Sequence, residues 1–131
     1  NYKFDAIVYC VTSALGFAAI ENVLYCLGGD FGTAVTRALL SVPSHAIDGM
    51  IMGYFFGVAK EAELAGDKNR RKRYLKLSVF MPMIEHGIYD SALSLDADWI
   101  FVFFFLFVIV VDAWAYKFVK KQSGQDRELS A

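Results

Sequence analysis

Residues 99–116 read WIFVFFFLFVIVVDAWAY, eighteen positions with a single charge. A helix of that composition belongs in lipid, because a bilayer core about 30 Å thick is crossed by roughly 20 apolar residues of helix. Trp99 at one end and Trp114 and Tyr116 at the other stand where interfacial aromatic belts form. Three more stretches approach the same length. Residues 4–27 carry Glu21 as their only charge after Asp5; residues 43–62 begin at Pro43 and end in a polar KEAELAG tail; residues 75–95 are interrupted by Pro82, Glu85, His86 and Asp90. With 56% hydrophobic residues and a mean hydropathy of +0.40, the 131-residue chain reads as an all-α, multi-pass membrane protein with four transmembrane helices. The transmembrane domain is expected over residues 1–121. Residues 122–131 form a polar tail outside the fold, and residues 28–42 a connection with a short helical turn at the interface.

Charge distribution orients these spans. Six of the 13 basic residues fall within 68–76, in a run that reads as a loop. Basic residues near span ends are retained on the cytoplasmic side. If that loop is cytoplasmic, the alternation of four spans also puts Lys3, Lys60, Lys117, Lys120, Lys121 and Arg127 there and leaves only Arg37 outside, with residues 28–42 and 96–98. Nothing about the basic run suggests nucleic acid. Two cysteines, Cys10 and Cys26, are too few for a disulfide framework or thiolate cluster and read as packing residues. The chain begins at Asn1 without an initiator Met or a signal-peptide pattern, so it reads as part of a longer protein.

Ionisable groups inside a span cost about 2.5–3.5 kcal/mol each on insertion scales, so they face the bundle interior, pair and tend to be functional. Here they are Glu21, His45, Asp48, Glu85, His86, Asp90 and Asp112. Counting about 1.5 Å per residue from the cytoplasmic ends puts Glu21, His45 and His86 roughly 25, 20 and 17 Å into the first three spans, a common level within the error of the span ends. A carboxylate and two imidazoles converging from three helices fit zinc, which takes nitrogen and oxygen donors and in catalytic sites leaves a position for water. Asp90, four residues after His86, lies on the same helix face and can orient its imidazole. Gly49, Gly53 and Gly57 follow His45 at four-residue steps, a stripe that lets another helix come close. Pro82 can kink the third span. Glu85 points about 100° away from His86, and Asp112 reads as a solvated end group.

The strings GFAAIENVLY (16–25), SHAIDGMIMGYFFGVAK (44–60) and EHGIYD (85–90) resemble the PrsW family of intramembrane proteases, a family similar to the CAAX prenyl endopeptidases and bacteriocin-immunity-type proteins. The resemblance runs in order to about residue 118 and rests on FxxxEN (Phe17, Glu21, Asn22), HxxxG (His45, Gly49) and HxxxD (His86, Asp90). It implies a multi-pass peptidase, usually classed with metallopeptidases, that cuts membrane-anchored proteins such as anti-sigma factors. Carried over by position, it makes Glu21, Asn22, His45, His86 and Asp90 catalytic positions, with Glu21, His45 and His86 holding the metal, expected to be Zn2+. A glutamate-activated water without metal is the alternative chemistry. The family's leading motif, adjacent glutamates followed by a basic residue on an earlier helix, has no counterpart here, so the general base is expected upstream of Asn1 and this chain alone is expected to be inactive. Two other functions fit the same residues: a proton- or ion-coupled transporter with Glu21, His45, His86 and Asp90 as a relay, and an inactive relative that shields membrane partners. Arg37 could hold a substrate carboxylate or serve the interface.

Overall fold

The computed structural model describes residues 3–93 and 98–126. All of its regular elements are helical: α1 (Lys3–Gly28), α2 (Phe31–Thr36), a π-helical segment (Arg37–Ser41), α3 (Val42–Leu64), α4 (Lys68–Leu93) and α5 (Asp98–Gly124). The end of the expected third span, the connection 96–97 and the tail 127–131 lie outside the described residues, as does the side chain of Trp99.

Two helices, α1 and the Val102–Gly124 part of α5, are long and apolar enough to cross a membrane, and only 11% of each apolar window is buried. Core helices of a water-soluble bundle would be mostly covered. Instead Leu27, Phe103, Tyr9 and Ile20 are 66–80% exposed, an outside whose natural solvent is hydrocarbon. The molecule is thus a helical membrane protein.

α1 and α3 run antiparallel because a row of small residues lets them touch backbone to backbone. A Cβ at Gly53 would sit 2.5 Å from Ile7 Cα and one at Gly49 2.7 Å from Val11 Cα, while at Gly57 it would come within 3.1 Å of the Lys3 carbonyl oxygen. Lipid supplies no hydrophobic force between helices, so close packing of this kind is what holds them. Around the seam lie Ile7, Ile47, Met50 and Ala115, flanked by Phe4, Val11, Tyr54 and Phe118. Lys3 closes its lower end on Glu61 at 3.0 Å.

The sequence expectations need three corrections. The basic run is no loop: the turn is confined to residues 65–67 and α4 starts at Lys68. Lys and Arg are good helix formers, and Asp67 caps the helix by accepting the Arg70 amide at 2.9 Å, which satisfies a first-turn N–H that would otherwise be orphaned. Beside this turn, a hydrogen bond from Lys60 holds the Glu63 carboxyl below the usual carboxylate range. Second, the tail does not leave the fold at residue 122. α5 continues to Gly124, and the Phe4 amide donates to Asp126 Oδ1 at 3.0 Å, tying the chain's two ends together. Third, the connection after α1 is a helix in its own right. Asp30 caps α2 by accepting from the Thr33 amide at 2.8 Å, which also lowers its carboxyl pKa, and the helix then passes without a break through the π segment into α3.

The π segment has a local cause. Pro43 has no N–H and its ring crowds the carbonyl four residues back. Widening the turn, so that the Val42 amide bonds the Arg37 carbonyl, accommodates it. Such one-turn π bulges are rare and cluster at functional positions.

The seam predicts a contrast between two glycines. Gly53→Ala must push α1 away and is expected to destabilise by about 1–3 kcal/mol, the usual range for overpacking. Gly16→Ala meets nothing within 4 Å and should be neutral or mildly stabilising by helix propensity. Thermal unfolding in detergent reads both; equal melting points for the two variants would contradict the seam.

Candidate metal centre

His45 is carried one turn into α3, on the face that meets α1, and is 4% exposed. Its Nε2 lies 2.9 Å from Glu21 Oε2, and the edge of Phe17 packs on its ring at 5.6 Å. The same Glu21 oxygen accepts from Arg37 Nη2 at 2.7 Å. Arg37 is placed by the π segment so that its fork serves several acceptors: Nε donates to Asn22 Oδ1 at 2.8 Å, and Nη2 reaches Ser41 Oγ at 3.1 Å. The guanidinium also lies 3.8 Å over the Tyr25 ring, a favourable cation–π geometry. Glu21, Asn22 and Tyr25 stand on adjacent faces of one helical turn, so this single side chain clamps α1 to the start of α3.

His86 arrives from α4. Its Nδ1 is 2.8 Å from Asp48 Oδ2 and its Nε2 is 3.5 Å from Asp90 Oδ2. The two imidazole rings stand 5.1 Å apart, and Tyr89 stacks beside His86 and packs edge-on against Phe104 of α5. Glu21, Ser44, His86, Tyr89 and Asp90 open onto a cavity of about 420 Å³ that Arg37 and Leu40 also line. α4 runs through Pro82 as one helix, and the Ser78 hydroxyl donates to the Leu75 carbonyl at 2.8 Å.

The structure therefore gathers all five residues singled out by motif, Glu21, Asn22, His45, His86 and Asp90, around one site. It divides them differently from the expected ligand set. Donor atoms of His45, Asp48 and His86 lie within 4.8 Å of one another, whereas the Glu21 carboxylate is engaged by His45 and Arg37. Sequence reasoning had Asp48 only as one more intramembrane acid; its signal is its place three residues after His45, on the same helix face.

Two imidazoles and a carboxylate are the donor set of many catalytic zinc sites. The fit has an independent sign. Asp48 Oδ1 is buried without a hydrogen-bond partner, a costly condition for a carboxylate oxygen that a cation among these three residues would relieve. Glu85 brings a second such oxygen, Oε2, on a carboxyl in hydrogen-bond contact with Asp48, so a proton shared between the two carboxyls is the other way to relieve this burial. Arg37→Lys keeps the charge and loses the fork. It is expected to lower the melting temperature by several degrees, as loss of about 1–2 kcal/mol does in a domain of this size; an unchanged melting curve would show that the clamp carries no stability.

Residues 1–115 match the family described as PrsW family intramembrane metalloprotease. Among curated relatives, the Protease PrsW of Halalkalibacterium halodurans is 46% identical over 95 residues, covering 72% of this chain and 42% of that protein. The Protease PrsW of Bacillus subtilis is 43% identical over 98 residues, covering 75% and 43%. The Protease PrsW of Clostridioides difficile is 34% identical over 113 residues, covering 83% and 46%. No solved structure matches the chain. The chain spans less than half the length of these relatives, and by the extent of its match it belongs to the PrsW family of intramembrane metalloproteases.

Proposed function

We propose that the protein of which this chain is part hydrolyses a peptide bond of membrane-anchored proteins, anti-sigma-factor-like substrates among them. The observation that carries this reading is the approach of His45, Asp48 and His86 within 4.8 Å in a chain of a metalloprotease family. In this reading α3 and α4 cross the bilayer alongside α1 and α5, giving four spans, with the basic start of α4 and the end of α5 in the cytoplasm and the site in the outer half of the membrane.

His45, Asp48 and His86 would hold the metal, with zinc the ion their chemistry suits best. Such an ion supplies a bound water of lowered pKa and polarises the scissile carbonyl. The surrounding residues prepare the site for that work. Glu21 contacts Nε2 of His45 and orients its ring, a supporting role that commonly sets ligand basicity. Asp90, 65% exposed in its side chain and lining the cavity, is placed to take or return a proton at its mouth. Asn22 acts through Arg37, whose guanidinium it helps to aim. The long apolar helices around the cavity keep bulk water away, which strengthens every charge interaction inside.

The test uses the full-length protein, a single-span reporter substrate and a metal assay. About one zinc per chain is expected, with cleavage lost on chelation. His45→Ala, His86→Ala and Asp48→Ala should each abolish stoichiometric metal and cleavage together, whereas Glu21→Gln should weaken metal affinity only about 10–100-fold, as loss of an orienting partner does. Cleavage that survives in metal-free protein would overturn the metal reading, and proton flux in liposomes without proteolysis would turn the site into a relay.

A further inference from the structure

The first turns of α4 hold six cations in nine positions, Lys68, Arg70, Arg71, Lys72, Arg73 and Lys76, all exposed. Electrostatics inside the protein does not favour that arrangement. A helix N-terminus is already the positive end of the macrodipole, where cations are unwelcome. Lys68, Lys72 and Lys76 also repeat at i,i+4, a spacing at which like charges repel. Little acid is available to compensate. Among the described residues, Glu63 reaches Arg71 at 3.7 Å but is shared with Lys60 at 2.9 Å, and the Asp67 carboxylate is taken up by the Arg70 amide. Lys68, Lys72, Arg73 and Lys76 have no ion pair with an acid among the described residues. Meanwhile Tyr74, stacked on Phe55 at 6.1 Å with Arg70 above it at 5.8 Å, fixes this part of α4 against α3, so the charges are held in place rather than left on a loose strand.

The helix surface changes character abruptly past Lys76. From there to Ile88 the large exposed side chains are apolar: Val79, Phe80, Met83 and Ile84 are 51–62% exposed. Shallow grooves straddle the change. One, about 560 Å³, runs from Lys68, Arg71, Lys72 and Lys76 to Val79 and Phe80; its neighbour places Arg73 and Lys76 beside Leu77 and Phe80. A ligand that suits both ends carries an anionic group at one end and a hydrocarbon chain at the other, with the change of character over about 10 Å, the rise from Lys76 to Met83.

We propose that this segment of α4 is a binding site for anionic phospholipid, with the phosphate held by Lys72, Arg73 and Lys76 and an acyl chain lying along Val79, Phe80 and Met83. The inference rests on the four-span placement, which puts these cations at the cytoplasmic headgroup level, and is independent of the protease reading. Clusters of four to eight basic residues next to a membrane helix gain about 1 kcal/mol of attraction per residue near an anionic surface. The lipid thus supplies the counter-charge that α4 lacks within the protein. By bearing on α4 it also bears on the helix that presents His86.

The experiment compares phosphatidylglycerol with phosphatidylcholine added to the detergent-purified full-length protein, read by lipid retained in intact-complex mass spectra and by melting temperature. Phosphatidylglycerol is expected to be retained and to raise the melting point, phosphatidylcholine to do neither, and the preference to fade with salt as exposed charge interactions do. The combined variant Lys72→Gln, Arg73→Gln, Lys76→Gln should lose on the order of 100-fold in apparent affinity, from about tenfold or less per charge. The variant Lys117→Gln, Lys120→Gln, Lys121→Gln, with the same loss of charge at the end of α5, should retain the preference. Equal retention of the two lipids, equal loss in both variants, or the same melting shift from inorganic phosphate alone would each overturn the proposal.

Discussion

The backbone contact between α1 and α3 is the constraint on which the rest of the structure depends. Gly53 lies where a single added carbon would be 2.5 Å from Ile7 Cα, so at this level the two helices stand closer than any side chain but glycine's allows. That closeness brings Glu21 of α1 to 2.9 Å from His45 of α3, a distance that a row of larger residues would open beyond hydrogen bonding. Sequence patterning and site chemistry are thus joined. The four-residue step that makes the glycine stripe begins at His45 itself, so the face that must be small to pack and the face that bears the imidazole are the same.

Most of the charges described on the inner faces of α1, α3 and α4 are drawn toward a partner within the bundle, as a low-dielectric surround favours. Arg37 answers Glu21, and Asp48 and Asp90 flank His86. Arg37 can do this because the π segment, itself a consequence of Pro43, places the guanidinium over α1, beside the cavity it also lines. One awkward residue therefore positions the side chain that locks the histidine's partner.

Much of this was legible in the sequence, and the remainder shows where one-dimensional reasoning stops. Counting rise per residue placed Glu21, His45 and His86 at one level, and they do share one site. Counting gives depth but not azimuth. It could not tell that Glu21 would face Arg37 and His45 while Asp48 turned toward His86, although the three-residue step from His45 to Asp48 carried that information. Arg37 read as the one basic residue left on the outer side by charge alternation, a reading that gives its side of the membrane and not its partners, Glu21, Asn22 and Ser41. The basic run read as a loop from its density of charge, yet helix propensity and the Asp67 cap outweigh a repulsion that exposed side chains feel only weakly under salt screening. Likewise the polar composition of residues 122–126 said nothing of Asp126, whose role is to accept one N–H at the start of α1.

The orphaned oxygens of Asp48 and Glu85 extend the logic of pairing to its limit. His86, the nearest donor, has one ring nitrogen on Asp48 Oδ2 and the other turned to Asp90. Arg37 is spent on Glu21, Asn22 and Ser41, and His45 Nε2 on Glu21. Asp48 Oδ1 and Glu85 Oε2 are left buried without a donor, and the Ser44 hydroxyl without a partner, while the Glu85 and Asp48 carboxyls themselves lie in hydrogen-bond contact. An unpaired buried charge is costly, and a proton held between the two carboxyls or a cation beside them lowers that cost. In the metal reading proposed above, a divalent cation among His45, Asp48 and His86 would supply such charge where the imidazoles can share it, and the same ion would then serve α3 and α4 as a counter-charge as well as the chemistry of the site.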